Sequence, residues 1–168
     1  NKILDLGCGK GLTSMFLANE VGATIYANDL WIKAEDNLKQ FIEWNIQDCV
    51  IPSCEDANNL SFDKEMFDAL FSVDSYHYFA GKKGFFQEKI LPFVKKSGVV
   101  YIVIPGIREE FEGQQEKLLK DWLGDEANLF HSCNWWKQII GKSGEMEIVD
   151  IWEMNNFALA WDSWLAVN

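Results

Sequence analysis

Apolar residues follow two rhythms along this chain, and the rhythms alternate. Near-continuous apolar runs with strand character lie at Ile3–Leu6, Ala23–Asn28, Cys49–Ile51, Phe67–Val73 and Val99–Ile104. Between them the spacing turns helical, at Leu12–Ala18, over residues 31–46 with Leu38, Phe41, Ile42 and Ile46 on one face, and over residues 82–95. Runs apolar on both sides of a strand belong in a sheet covered on both faces. Regular strand–helix alternation joins such strands in parallel through right-handed crossovers. The predicted fold is therefore α/β, a doubly wound and mostly parallel sheet with helices on both faces.

The rhythm breaks after the fifth strand. Residues 107–134 are charged, aromatic and mostly helical in pattern, as in Gln114–Leu123. They read either as a small helical lid over the carboxyl edge of the sheet or as a surface elaboration. A helix near Trp135–Ile140 and a sixth strand near Met146–Trp152 follow, and residues 158–165 look like an amphipathic helix. The chain opens in a strand, without a methionine, and shows no seventh strand. It is read as one domain, residues 1–168, of a longer protein.

The chemistry is densest at the start, Ile3-Leu4-Asp5-Leu6-Gly7-Cys8-Gly9-Lys10-Gly11. A strand ends in an acid, three glycines alternate through a tight loop, and a helix opens at Leu12. This is how an α/β sheet meets nucleotide-like ligands at its carboxyl edge. A dinucleotide fingerprint needs G-x-G-x-x-G, whereas the third glycine here comes one residue early. Asp5 would repel a pyrophosphate but suits an ammonium and a sulfonium. The segment resembles the first motif of the Rossmann-like class I methyltransferases, which bind S-adenosylmethionine. The resemblance covers most of the chain except about its last fifteen residues. It implies that Asp5, Gly7, Cys8, Gly9 and Gly11 hold the amino-acid end of that cofactor. Cys8 reads better as a small side chain fitting the loop than as a nucleophile.

The resemblance extends to the later strand ends. Asp29, with Leu30 beside it, stands where such folds place an acid for the ribose hydroxyls, or else caps the following helix. Asp56 and Ala57 match the step that reads adenine, one carboxylate for the amino group and one N–H for a ring nitrogen. The other reading is an acidic turn. Asp74, Tyr76 and His77 leave the fourth strand where cofactor and substrate meet. His77 is the candidate base, because imidazole titrates near neutrality, or it is a structural histidine. Asp74 could instead cap a helix. Trp135 and Trp136 suit a pocket wall or a core equally.

Composition narrows the partners. With 26 acidic and 15 basic residues the net charge is −11, and Arg108 is the one arginine. Nucleic-acid binding needs a basic footprint that this chain lacks, so a small, neutral or cationic acceptor is expected. Four scattered cysteines and two histidines give no metal spacing, so reduced thiols in a cytoplasmic protein are expected, and no apolar run approaches the length that spans a bilayer, so no membrane partner is expected. The expected function is transfer of a methyl group from S-adenosylmethionine to a nitrogen or oxygen of a small molecule. The alternatives are a catalytically silent S-adenosylmethionine-binding module and, from the glycine loop alone, an NAD-dependent oxidoreductase.

Overall fold

The computed structural model of the chain describes residues 1–141 and 146–167. It divides into two compact units, residues 1–105 and 106–168. The first holds β1 (Lys2–Leu6), α1 (Leu12–Val21), β2 (Thr24–Asn28), α2 (Ala34–Glu43), β3 (Val50–Ser53), β4 (Phe67–Val73) and β5 (Val94–Val103). All five strands are parallel, in the order β3-β2-β1-β4-β5. The order reverses between β1 and β4, so the crevice for a ligand lies beyond their carboxyl ends.

Alternation along the strands divides the core. Ile3, Ile25, Ala27 and Ala69 pack with Leu17 of α1 and Phe41 of α2 in one cluster. Their neighbours Leu4, Leu6 and Leu70 point to the other face and are equally buried. Pro52 sits inside β3, opposite Ala27. That is tolerated because β3 is an edge strand, where a missing N–H faces outward.

Two expectations are corrected. The helix expected over residues 82–95 is only a wide turn at Phe86–Ile90 and a 3-10 turn at Leu91–Phe93. Pro92 cannot donate the next helical hydrogen bond, and the chain passes into β5 at Val94. The sixth strand is absent from the described residues of Met146–Trp152. Val149 and Trp152 are largely exposed there, and no strand among the described residues pairs with the segment to form a ladder.

The second unit carries α3 (Gln114–Leu123), a 3-10 stretch at Gly124–Leu129, α4 (Cys133–Ile140) and α5 (Phe157–Leu165). Ser132 caps α4, its Oγ accepting from Trp135 N at 3.2 Å. Glu110 accepts from Ser132 N at 2.7 Å and shares a 3.0 Å hydrogen bond with His131 Nδ1. The His131 ring lies flat on Trp135 with centroids 3.6 Å apart, while Trp136 is buried. Arg108 pairs with Glu153 and lies over the Phe157 ring. Among the described residues no helix is long and apolar enough to cross a membrane.

Candidate active site

The loop from Gly7 to Gly11 is built from the backbone and braced by polar side chains of two neighbouring strands. Gly7 N and Cys8 N both donate to Asn28 O, at 2.8 and 3.0 Å. Asn28 in turn fixes the loop after β3, donating to Glu55 O at 2.9 Å and accepting from Glu55 N at 3.0 Å. On the β4 side, Ser72 and Ser75 each donate to Leu6 O at 2.9 Å. Four adjacent strand ends, those of β3, β2, β1 and β4, are thereby tied together around the point where the strand order reverses.

The three glycines do different work, although all have positive φ. A side chain at Gly7 would collide with Ser75, and one at Gly11 with the Phe41 ring. Those two are glycines because the protein itself presses on them. A Cβ at Gly9 would meet no heavy atom within 4 Å. Gly9 therefore opens on empty space, as expected of a backbone left bare for a ligand.

Asp29 holds this opening in shape. Its Oδ2 accepts from Gly9 N at 2.8 Å, and its Oδ1 from Trp31 N at 2.8 Å and Ile32 N at 2.9 Å. It does not cap α2, which begins at Ala34 after Lys33. A carboxylate offers about four acceptor positions, so with three taken one remains for a ribose hydroxyl rather than two. Asn37, unremarked in the sequence, donates from α2 to Gly9 O at 2.9 Å and to Cys8 Sγ at 3.6 Å. Burial, with the charges of Asp5 and Asp29 adding to it, pushes the Cys8 thiol up, so it is a neutral packing group in the loop.

Asp5 lies beneath the loop and is completely buried. Its Oδ2 accepts from Ser14 Oγ of α1 at 2.6 Å, while its Oδ1 is buried with no hydrogen-bond partner. Desolvation lifts the carboxyl from an ordinary 3.8 to about 7. The Ser14 bond opposes this and the Asp29 charge adds to it. An acid with an unanswered oxygen under an open glycine fits a cationic ligand end, acting through its field rather than by surface contact.

The remaining expected residues are sorted by exposure. Asp56 Oδ1 accepts both Asn58 N and Asn58 Nδ2 at 2.8 Å, and these bonds hold its carboxyl below the usual range. It forms the acidic turn, with Ala57 buried behind it. Asp74 is exposed at the end of β4 with φ +56°, and its N donates to Val103 O at 2.8 Å. A left-handed backbone on a non-glycine residue is a strained feature of the kind found at ligand sites, and the N-cap position of the turn that follows belongs to Ser75. Tyr76 is not at the surface: its ring is 1 % exposed, packs against Phe79 and Phe85, and burial pushes its hydroxyl up. His77 is 2 % exposed, with Tyr78 lying over it at 4.1 Å between ring centroids. Tyr76 and His77, expected to border the acceptor atom, are both buried. The apolar fill of the 74–90 segment draws both rings inward, and the exposed aromatics on this edge are Tyr78 and Trp31.

A methyltransferase-domain family model matches residues 4–102, from β1 into β5. The chain belongs to the class I S-adenosylmethionine-dependent methyltransferases. This methyltransferase chain is 30% identical over 122 residues to the probable tocopherol O-methyltransferase, chloroplastic, of Oryza sativa subsp. japonica. The match takes in 72% of the chain and 33% of that protein. It thus spans about a third of the length of that curated relative. Among solved structures it superposes on YcgJ from Bacillus subtilis with a TM-score of 0.71 at 17% identity, over 91% of this chain and 65% of that one. Geranyl diphosphate C-methyltransferase from Streptomyces coelicolor A3(2), solved with S-adenosyl-L-homocysteine, gives 0.67 at 20% identity, over 84% and 52%. These structural likenesses establish the shared fold of the methyltransferase.

Proposed function

We propose that the protein binds S-adenosylmethionine and transfers its methyl group to a nitrogen or oxygen of a small molecule. One observation carries the reading: the empty space at Gly9, braced by Asp29 and Asn37, above a buried carboxyl with an unpartnered oxygen. Gly9 and the loop backbone would take the amino-acid end, and Asp5 would favour its ammonium. Asp29 and Leu30 would face the ribose and Asp56 and Ala57 the adenine, through the second carboxylate oxygen and the backbone. Bound, the cofactor supplies a methyl already activated by the sulfonium charge. The chain's own task is then to hold the acceptor in line and keep its attacking lone pair free.

Asp74 is better suited than His77 to meet the acceptor, being exposed at the end of β4 on a strained backbone. It would orient an acceptor N–H or O–H and receive the proton released on transfer, directly or through water. The burial of Tyr76 and His77 favours one competing reading, a module that binds the cofactor without catalysis.

Titration with S-adenosylhomocysteine and with NAD, followed by methyl transfer from labelled cofactor to a panel of small amines, alcohols and phenols, tests both. Binding with transfer supports the proposal. Binding without transfer to any acceptor favours the silent module, and preference for NAD overturns the cofactor assignment.

A further inference from the structure

The rings of Trp31 and Tyr78 meet across the carboxyl end of β1. Trp31 follows β2 and Tyr78 follows β4, and these strands flank β1 on either side. The two rings nevertheless come to 5.5 Å between centroids at 67°. Trp31 is 73% exposed and Tyr78 44%, so this is aromatic surface that folding of this unit leaves uncovered, on the edge where such sheets bind ligands.

Both rings are held from behind by groups that also shape the loops. Trp31 N donates to Asp29 Oδ1 at 2.8 Å, Tyr78 N donates to Ser75 O at 3.0 Å, and the Tyr78 ring rests on His77. The loops on this edge carry both signs within a chain that is acidic overall. The loops after β3 and β4, residues 54–66 and 74–84, carry Glu55, Asp56, Asp63, Glu65 and Asp74 beside Lys64, Lys82 and Lys83, and the chain as a whole is at −11. A cation finds ring faces to sit on and a field that draws it in.

We infer that Trp31 and Tyr78 form a recognition site for an alkylammonium group on the methyl acceptor. The inference rests on the proposed methyltransferase reading and narrows its acceptor class to small cationic amines. It also gives His77 a part, as the positioning residue beneath Tyr78. The cofactor's sulfonium offers the same onium chemistry to the same rings, and the experiment separates the two.

The intact protein is loaded with S-adenosylhomocysteine, whose sulfur is neutral. It is then titrated with choline and with 3,3-dimethylbutan-1-ol, the uncharged isostere. Choline is expected to bind about tenfold more tightly than the alcohol. Trp31→Ala and Tyr78→Ala should each cost about tenfold in choline affinity, and Trp31→Phe no more than about threefold. The melting temperature of Trp31→Ala should stay near that of the parent, because its ring is mostly exposed. Equal binding of choline and the alcohol overturns the inference, as does undiminished choline binding by Trp31→Ala. So does a third result, in which choline fails to saturate and Trp31→Ala instead loses a preference for S-adenosylmethionine over S-adenosylhomocysteine. The rings would then read the cofactor. A parent protein that binds no S-adenosylhomocysteine defeats the methyltransferase reading itself, and choline titration of the unloaded protein still decides the ring site.

Discussion

Replacing Asp5 by Asn should make the free protein more stable and its cofactor binding worse, with both effects following pH. The carboxyl titrates at about 7 in the fold against an ordinary 3.8, mainly because burial disfavours its charge. A group whose folded pKa is raised contributes no penalty below about pH 4. The fold loses stability as pH rises from there to about 7, and the loss is constant above. Three units at 1.36 kcal/mol each come to about 4 kcal/mol by pH 8, against about 2 kcal/mol at pH 5. Asn matches Asp in shape and can donate to Ser14 Oγ, while its other polar atoms stay poorly paired at a cost of about 1–3 kcal/mol. That cost is independent of pH, so the advantage of Asn should grow by about 2–3 kcal/mol between pH 5 and pH 8. At pH 8 the net gain is about 1–3 kcal/mol, or roughly 2–10 °C in melting temperature for a chain of this size.

Binding should move the other way. If the ionised carboxyl is the competent form, its share falls from about nine-tenths at pH 8 to about one-tenth at pH 6, and S-adenosylhomocysteine affinity falls about tenfold with it. Asp5→Asn should bind weakly and with a flat profile over that range. Chemical unfolding at the two pH values and calorimetric titration between pH 6 and 8 make the test. Parallel stability profiles for parent and variant, or a parent affinity that does not change with pH, would refute the reasoning.

The glycine loop separates fold from function. Gly7→Ala and Gly11→Ala should destabilise the protein strongly, by roughly 2–4 kcal/mol in denaturant unfolding, since each Cβ strikes Ser75 or Phe41. Gly9→Ala should cost only about 1–2 kcal/mol of backbone strain yet weaken S-adenosylhomocysteine binding at least as much as either neighbour, and unchanged affinity would remove the ligand from Gly9. Asp29→Ala should lose both stability and affinity, because Gly9, Trp31 and Ile32 lose their acceptor together; a pure affinity loss with normal melting would contradict that brace. His77→Phe should keep most of the methyl-transfer rate, with a flat kcat profile near neutral pH, if the ring only supports Tyr78. A loss of two orders of magnitude in kcat at unchanged cofactor affinity would restore it as the base.

The sheet was legible because hydrophobic rhythm is a local property. β4 begins and ends at the expected residues, and so does α3 in the charged segment after β5. The failures had non-local causes. Pro92 cut short the helix expected over 82–95, and Met146–Trp152 had apolar residues enough for a strand but no strand to pair with. At the site, Asp5, Asp29 and the glycines stood out by their spacing, an acid before three alternating glycines and a second acid after the next strand. Asn28, Ser72, Ser75 and Asn37 did not. A serine or asparagine at the end of a strand looks like any turn residue until the neighbouring strand delivers the carbonyl it binds.

That difference bears on how the site is made. The residues expected to touch ligand are held by others that do not. Asp29 gives one acceptor position to the glycine loop and two to the turn after β2, Asn28 ties β1 to the β3 loop, and the two serines tie β4 to β1. Asp5 is the opposite case, since burial works against its charge and one of its two oxygens has no hydrogen-bond partner. A backbone fixed this firmly can keep a destabilised carboxyl in place until a cation arrives to stabilise its ionised form. Loosening the brace at Asn37 should therefore let the loop relax, bring Asp5 a partner and lower its pKa. The change would be read by carbonyl infrared or 13C carboxyl titration of Asn37→Ala. If the Asp5 carboxyl of that variant still titrates near 7, its shift comes from burial in the strand alone and owes nothing to the rigidity of the loop above it.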